Sequence, residues 1–363
     1  VASYIHSSKK SIETTAEPKL LPQANSTAHD PFEELIQADQ QLETTLRPAH
    51  LEEFCGQNTI RERLEVLIGG AKARKEPLGH CLFCGPPGLG KTTLAQILAR
   101  SMGVQCVVTS GPVLEKAGDL AGLLSSLKTG DVLFIDEIHR LTRSVEEYLY
   151  SAMEDFKLDL MIDSGPGARS VELKLNRFTL VGATTRQGLL TAPLRSRFHL
   201  TLRLDYYDQA SLASIIRRSS RLLSLDMEEA AAVEIAARSR GTPRIANNLL
   251  KWVRDFAHSR QMATAGVKID HALARIALDK LDVDREGLDE MDRRMLKALI
   301  ENFSGGPVGL NTLASALSEE PHTIEEVYEP YLILKGFLTR TPRGRCATAK
   351  AYEHLKQADL RSC

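Results

Sequence analysis

The sequence predicts an α/β fold: a parallel sheet covered by helices, then an all-α lid, then a C-terminal winged helix. Three observations carry this reading. Up to about residue 204, the β-rich runs HCLFCG, VQCVVTS, DVLFID and FTLVGAT alternate with helical patterns, and such alternation builds a mostly parallel sheet. From 205 to 281 the pattern is helical only. The stretch 282–352 reads as three helices followed by two short strands, FLTRT and RCATA, around the turn Pro342-Arg343-Gly344.

Taken in order, residues 1–30 are rich in Ser, Thr, Gln, Asn and Pro and are expected to form a flexible tail. The sheet domain covers 31–204, and residues 353–363 form a second tail. In the lid, Thr242 as cap and Pro243 at the first position open a helix with Ile245, Leu249, Trp252, Val253 and Phe256 on one stripe. In the winged helix, helical runs fall near Asp289–Asn302, Thr312–Leu317 and Thr323–Lys335, and Thr323-x-x-Glu326 has the form of a capping box.

Composition narrows the function. The chain has 363 residues, 43% of them hydrophobic, and a net charge of −1, so overall charge does not announce nucleic acid. No apolar run approaches the ~18 residues that span a bilayer, and the first thirty residues do not read as a secretory signal. Six scattered cysteines form no disulfide framework and suit a reducing cytosol. Cys81 and Cys84 make a C-x-x-C, but residues three apart on a strand point to opposite faces. Core packing is therefore the better reading than zinc. Between Pro330 and Tyr352 lie five basic residues, Lys335, Arg340, Arg343, Arg345 and Lys350, and no acid.

The chemistry starts at Gly85-Pro-Pro-Gly-Leu-Gly90-Lys91-Thr92, which fits G-x-x-x-x-G-K-[ST] at every position, between a strand and a helix. Backbone N–H groups of such a loop wrap phosphates, and the helix N-terminus adds its positive end. Lys91 would sit at the β/γ-phosphates, and the Thr92 hydroxyl would ligate Mg²⁺. Further on, Val132-Leu-Phe-Ile-Asp136-Glu137 is an apolar strand ending in two carboxylates. Ligands bind beyond the carboxyl ends of parallel strands. Asp136 would hold the Mg²⁺ shell, and Glu137 would polarise the attacking water. The strand FTLVGAT ends in Thr184, a hydroxyl placed to orient water. Arg195 and Arg197, in LRSRF, are both candidates for an arginine that clamps the transferring phosphoryl. ATP is the expected nucleotide.

Together these pieces resemble the AAA+ ATPases. The stretches SGPVLEKAGDL, DVLFIDEIHRL, AMEDFKLDLMI, FTLVGATTR, RGTPRIANNLL, GGPVGL and RTPRGR resemble more closely the RuvB family, bacterial motors of Holliday-junction branch migration. The resemblance runs from about Leu46 to Tyr352. It implies a phosphate cradle of Gly88, Leu89, Gly90, Lys91, Thr92 and Thr93. Leu46 and Arg47 would contact the nucleotide from the N-terminal side, and Glu154, Asp155, Phe156, Tyr207 and the lid arginine Arg244 would complete the pocket. Arg197 rather than Arg195 matches the family's finger, supplied to a neighbour's site in a homohexameric ring. The resemblance also implies partners: four-way junction DNA with its duplex arms, RuvA and the RuvC resolvase complex, with no membrane.

Residues 158–175 correspond to the family's RuvA-binding hairpin. LDLMID and SVELKL flank the turn 164–167, and Leu158, Leu160 and Ile162 would be the partly exposed contacts. Arg340, Arg343 and Arg345 would hold duplex phosphates. Lys251-Trp252 departs from the family's usual basic pair. Three other readings stay open from the residues alone: a clamp-loader-type ATPase, a replication initiator, and a catalytically inactive scaffold binding DNA or RuvA.

Overall fold

The computed structural model describes residues 43–161, 170–260 and 268–359, and the contacts below all lie within the unit that starts at Thr45. The strands of the first domain are β1 (Cys81–Cys84), β2 (Cys106–Ser110), β3 (Val132–Asp136), the hairpin pair β4 (Lys157–Met161) and β5 (Ser170–Lys174), then β6 (Thr179–Thr184) and β7 (Leu200–Arg203). Five of them form one sheet in the order β2-β3-β6-β1-β7, every neighbouring pair parallel.

β1 and β6 are buried along their whole length, and β3 is buried up to Ile135. That is why they read as continuous apolar runs rather than alternating ones. Alternation shows instead in which side each residue serves. Cys81 and Phe83 join the apolar layer shared with helix Lys91–Met102 and the lid, whereas Leu82 and Cys84 join the layer under helix Arg143–Glu154. The two cysteines thus pack on opposite faces, and burial pushes both thiols up, to about 12 and about 11. Neither is a reactive thiolate at neutral pH.

The lid holds helices Gln209–Leu222, Glu229–Arg238, Pro243–Arg260 and His271–Lys280, with the short pair β8 (Asp226–Met227) and β9 (Lys268–Ile269). Thr242 caps the third helix, its hydroxyl accepting from Ile245 N at 3.4 Å. Leu249 and Val253 are buried, and Trp252 lies at the margin with its indole N–H donating to Ala277 O at 2.7 Å. Arg244, in the first turn of the same helix, is exposed.

The wing has its own apolar cluster, drawn from helices Glu290–Lys297 and Leu310–Leu317, the helical segment 321–334, and the hairpin β10 (Leu338–Thr341) and β11 (Gly344–Ala347). Two expectations are corrected here. The helical segment begins at Pro321, not after Thr323: Pro at the first position suits a helix start, and Thr323 makes no capping bond. The chain from 353 is not a tail, because helix Ala349–Asp359 inserts Ala351 and Leu355 into the cluster.

The basic stretch is corrected as well. Arg345 is buried, with Nε donating to Glu329 Oε1 at 2.6 Å and a second nitrogen donating to Oε2 at 3.3 Å. Arg340 donates to Glu325 and also faces Glu329. Both acids come from the segment 321–334, which folds beneath the hairpin. Arg345 therefore belongs to the interior of the wing, not to a DNA surface. Arg343 stays exposed at the turn, and no described carboxylate pairs with it.

The β4–β5 hairpin differs from expectation in one residue. Leu158 is fully buried in the core, so it offers nothing to a partner. Leu158 stands opposite Leu173, and Val171, two residues before Leu173 on the same strand, shares their face of the ribbon. That face leaves the core as it runs outward, and Val171 is 47% exposed. The side chain of Leu160, Ile162 and the turn 164–167 lie outside the described residues.

With Glu329 only 2% exposed, removing its partner strands a buried carboxylate. Arg345→Ala is expected to cost roughly 3–5 kcal/mol of wing stability. Arg345→Met combined with Glu329→Leu should come close to wild type. Thermal unfolding of the two variants checks this; equal melting temperatures for Arg345→Ala and wild type would contradict the buried pair.

Candidate nucleotide site

Three glycines shape the loop after β1. Gly85, Gly88 and Gly90 all have positive φ, at 139°, 79° and 100°, a region that residues with a Cβ rarely adopt. Space excludes a Cβ at Gly85, where it would fall on Leu204 O, and crowds one at Gly88 and Gly90, where it would meet the Arg244 Cβ and the Phe54 ring, each at 3.1 Å. The result is a concave run of backbone N–H groups at the start of helix Lys91–Met102, an anion nest. Leu89 anchors the loop, its side chain fully buried and its carbonyl accepting from Tyr207 Oη at 3.1 Å.

Lys91 is buried and donates to Gly85 O at 2.8 Å and Pro86 O at 2.9 Å. Burial holds its pKa below the usual lysine value, opposed by the charges of Asp136 and Glu137. A cation kept against two carbonyls, beside exposed Arg244, fits the phosphates of a nucleotide. Thr92 is half-buried and Thr93 buried behind it. The Thr92 hydroxyl and Asp136 fit Mg²⁺, which keeps most of its octahedron for phosphates and waters.

The two carboxylates sit where the strand order sends them. β6 lies between β1 and β3, so the ends of all three strands meet at one edge, and Gly85 N donates to Thr184 O at 3.1 Å. Glu137 has a left-handed backbone, φ 46°, which non-glycine residues adopt at a cost and often at functional positions. Its carboxylate accepts from the Thr185 hydroxyl at 3.2 Å and lies 3.1 Å from His139 Nδ1. Burial lowers the pKa of His139, so the ring is neutral at pH 7, and its Nδ1 hydrogen-bonds the Thr184 hydroxyl at 2.9 Å.

Thr184, expected to orient water, is corrected by one position. It is fully buried, its hydroxyl 2.9 Å from His139 Nδ1 and accepting from Arg186 N at 3.0 Å. Thr185 holds the glutamate instead. The adjacent threonines in GATTR were the available signal, and the strand reading stopped one residue short. His139 gave no separate signal.

The N-terminal segment and lid close over the loop. Leu46 is buried, with its carbonyl accepting from Arg218 of the lid at 2.8 Å; Arg47 is half-buried beside it. Arg218 also bonds Glu53 at 2.8 Å, and Arg244 N donates to Gly88 O at 3.4 Å.

Four expected site residues lie elsewhere. Helix Arg143–Glu154 runs back from the carboxyl edge of the sheet and delivers Glu154, Asp155 and Phe156 to the opposite edge. The Phe156 ring centroid there is 6.3 Å from that of His80 and 5.9 Å from that of Phe178, the residues just before β1 and β6. Arg197 joins them, donating to Glu154 at 3.0 Å and stacking 4.6 Å over the Tyr150 ring. A four-residue strand alone separates the edges by about 13 Å. Glu154, Asp155, Phe156 and Arg197 therefore do not line this chain's own pocket.

Comparison with known proteins decides the family. Models described as the Holliday junction DNA helicase RuvB P-loop domain, the RuvB AAA lid domain and the RuvB C-terminal winged helix domain match residues 46–204, 207–284 and 285–356. The chain belongs to the RuvB family. It is a P-loop AAA+ ATPase by fold, and its RuvB membership over all three domains, rather than that shared fold, sets aside the clamp-loader and initiator readings. It is 63% identical over 314 residues to the Holliday junction branch migration complex subunit RuvB of Protochlamydia amoebophila, covering 86% of this chain and 93% of the relative. The Flavobacterium psychrophilum counterpart is 59% identical, covering 86% and 91%. The structure of the Thermotoga maritima RuvB Holliday junction branch migration motor aligns with a TM-score of 0.77 at 52% identity, covering 86% of this chain and 98% of that one.

The Thr185 contact makes a prediction. If Glu137 serves as general base, Thr185→Val should lower ATP turnover roughly tenfold to a hundredfold by releasing its carboxylate, with nucleotide affinity unchanged. Steady-state ATPase and a nucleotide-binding titration check it; turnover equal to wild type would return the role to another group.

Proposed function

We propose that the chain is an ATP-driven motor that moves Holliday junctions, working as a ring of six subunits. One observation carries this reading: Arg197 sits at the sheet edge opposite the phosphate loop, so it can serve only a nucleotide held by another copy. A head-to-tail contact of this kind gives a ring when the rotation between neighbours closes, and six copies is the closure proposed. In such a ring Glu154, Asp155 and Phe156 travel with Arg197 to the neighbour's pocket.

Within one subunit, Lys91 and the loop N–H groups hold the phosphates, and Thr92 and Asp136 hold Mg²⁺, which neutralises charge on them. Glu137, set by Thr185 and His139, takes the proton of the attacking water. The neighbour's Arg197 stabilises the charge that develops on the transferring phosphoryl. Its contact with Glu154 keeps the guanidinium ordered until it is exchanged for phosphate.

Duplex DNA is held through phosphates by the exposed Arg343 and by Arg340. Binding is therefore salt-dependent and indifferent to sequence. The apolar ribbon face ending at Val171 is the surface offered to RuvA, and the RuvC resolvase complex follows on the same junction.

A synthetic four-way junction tests this. With ATP, Mg²⁺ and RuvA, the chain should separate the junction into duplex products, and Val171→Asp should spare basal ATPase while losing RuvA-dependent loading. Undiminished RuvA binding by Val171→Asp in a pull-down would remove the hairpin assignment. ATP hydrolysis without any junction movement would remove the motor.

A further inference from the structure

The wing is fastened to the other two domains by contacts of different kinds. Toward the lid it is held by buried groups. Arg240 donates to Asp292, itself fully buried, at 2.5 and 3.3 Å, and stacks 4.6 Å over the Tyr331 ring. Arg240 also donates to Asp289 at 3.1 Å. Arg240 stands only four residues before Arg244, which lies over the phosphate loop. Asp292 is enclosed and the guanidinium is fixed against the Tyr331 ring, so this joint is closed and of defined geometry.

Toward the core the hold is ionic and half-exposed. Arg186 lies two residues beyond Thr184, the end of β6. Its Nε is 2.5 Å from Glu326, and a terminal nitrogen is 3.5 Å from Glu325, with all three side chains 30–32% exposed. The wing's apolar cluster does not extend into the core: every member comes from residues 288–355. Glu325 is also bonded by Arg340 of the β10–β11 hairpin. One carboxylate therefore faces a cation from the wing and a cation from the core. Exposed pairs are weak and screened by salt.

The position of Arg186 gives this contact meaning. Its N–H donates to the Thr184 hydroxyl, and the preceding residue, Thr185, holds Glu137. A pull on the Arg186 side chain bears on the strand end that sets the general base. We propose that Arg186 with Glu325 and Glu326 is a releasable latch between the wing and the γ-phosphate side of the nucleotide site, opened and reclosed as lid and wing rotate together against the core. Arg186 is thus a positioning residue that reports wing orientation to Glu137. This rests on the motor reading, because a latch of this kind matters only if the domains rotate during turnover.

The test uses the full chain with fluorophores introduced at exposed positions through unnatural amino acids. One pair, at Val66 and Leu334, reads core to wing; a second, at Leu222 and Leu334, reads lid to wing. Without nucleotide or DNA, the wild type should show one short core–wing distance, and Glu326→Gln should raise the open population at least threefold. The lid–wing distance should not change. Arg186→Glu combined with Glu326→Arg should restore the closed distance, and raising salt from about 50 mM to about 500 mM should open the wild type. In turnover, Glu326→Gln should shift kcat for ATP with KM unchanged, and the ATP consumed per junction resolved should rise several-fold. An unchanged core–wing distance in Glu326→Gln, or a lid–wing distance that lengthens equally, would overturn the latch. The distance arm needs no junction, so failure of the motor reading would show separately, as absent migration.

Discussion

Parallel pairing of β6 between β1 and β3 is the constraint on which the rest depends. It brings three strand ends to one edge: the phosphate loop from β1, Asp136 and Glu137 from β3, and Thr185 from β6. The pairing is maintained by residues that are almost all buried on both faces. Gly182, in the middle of β6, shows how closely this is packed, since a Cβ there would meet Ile138 at 2.9 Å and Phe198 at 3.0 Å. Ile138 follows Glu137 and Phe198 follows Arg197. The same glycine therefore touches the residue beside the general base and the residue beside the finger, from opposite ends of the chemistry.

What the sequence disclosed was short in range. The phosphate loop was legible because glycines with forced φ, a lysine and a threonine must stand at fixed intervals whatever surrounds them. Asp136 and Glu137 were legible because an apolar run ending in acids has one physical reading beside such a loop. Alternation predicted correctly that Cys81 and Cys84 serve opposite faces. What stayed hidden depended on partners distant in sequence. Arg345 looked free because Glu329 is sixteen positions away, on a different element. Leu158 looked exposed because alternation gives a face and not what covers it. Arg197 and Glu154, 43 positions apart, gave no sign of meeting, and nothing local said that they meet at the wrong edge for their own nucleotide.

Charge placement completes the account. At the lid–wing junction one ion pair, Arg240 with Asp292, is enclosed, while Asp289 beside it is 43% exposed; the pairs joining wing to core, and Arg197 to Glu154, are partly wet throughout. Partly wet pairs exchange partners at low cost, which suits contacts that must be made and broken. Buried ones suit joints that must not yield.

The central claim is that each nucleotide is held by one subunit and cleaved with an arginine from the next. Mixing Lys91→Ala subunits with Arg197→Ala subunits measures this most directly. Each variant alone should show almost no turnover, because one lacks the phosphate-binding lysine and the other lacks the finger. In an equal mixture, a site works when an Arg197→Ala subunit holds the nucleotide and a Lys91→Ala subunit supplies the arginine, which random assembly gives at about a quarter of sites. The account predicts ATPase well above either variant and approaching that fraction of wild type. Turnover in the mixture no greater than the average of the two variants alone would contradict it.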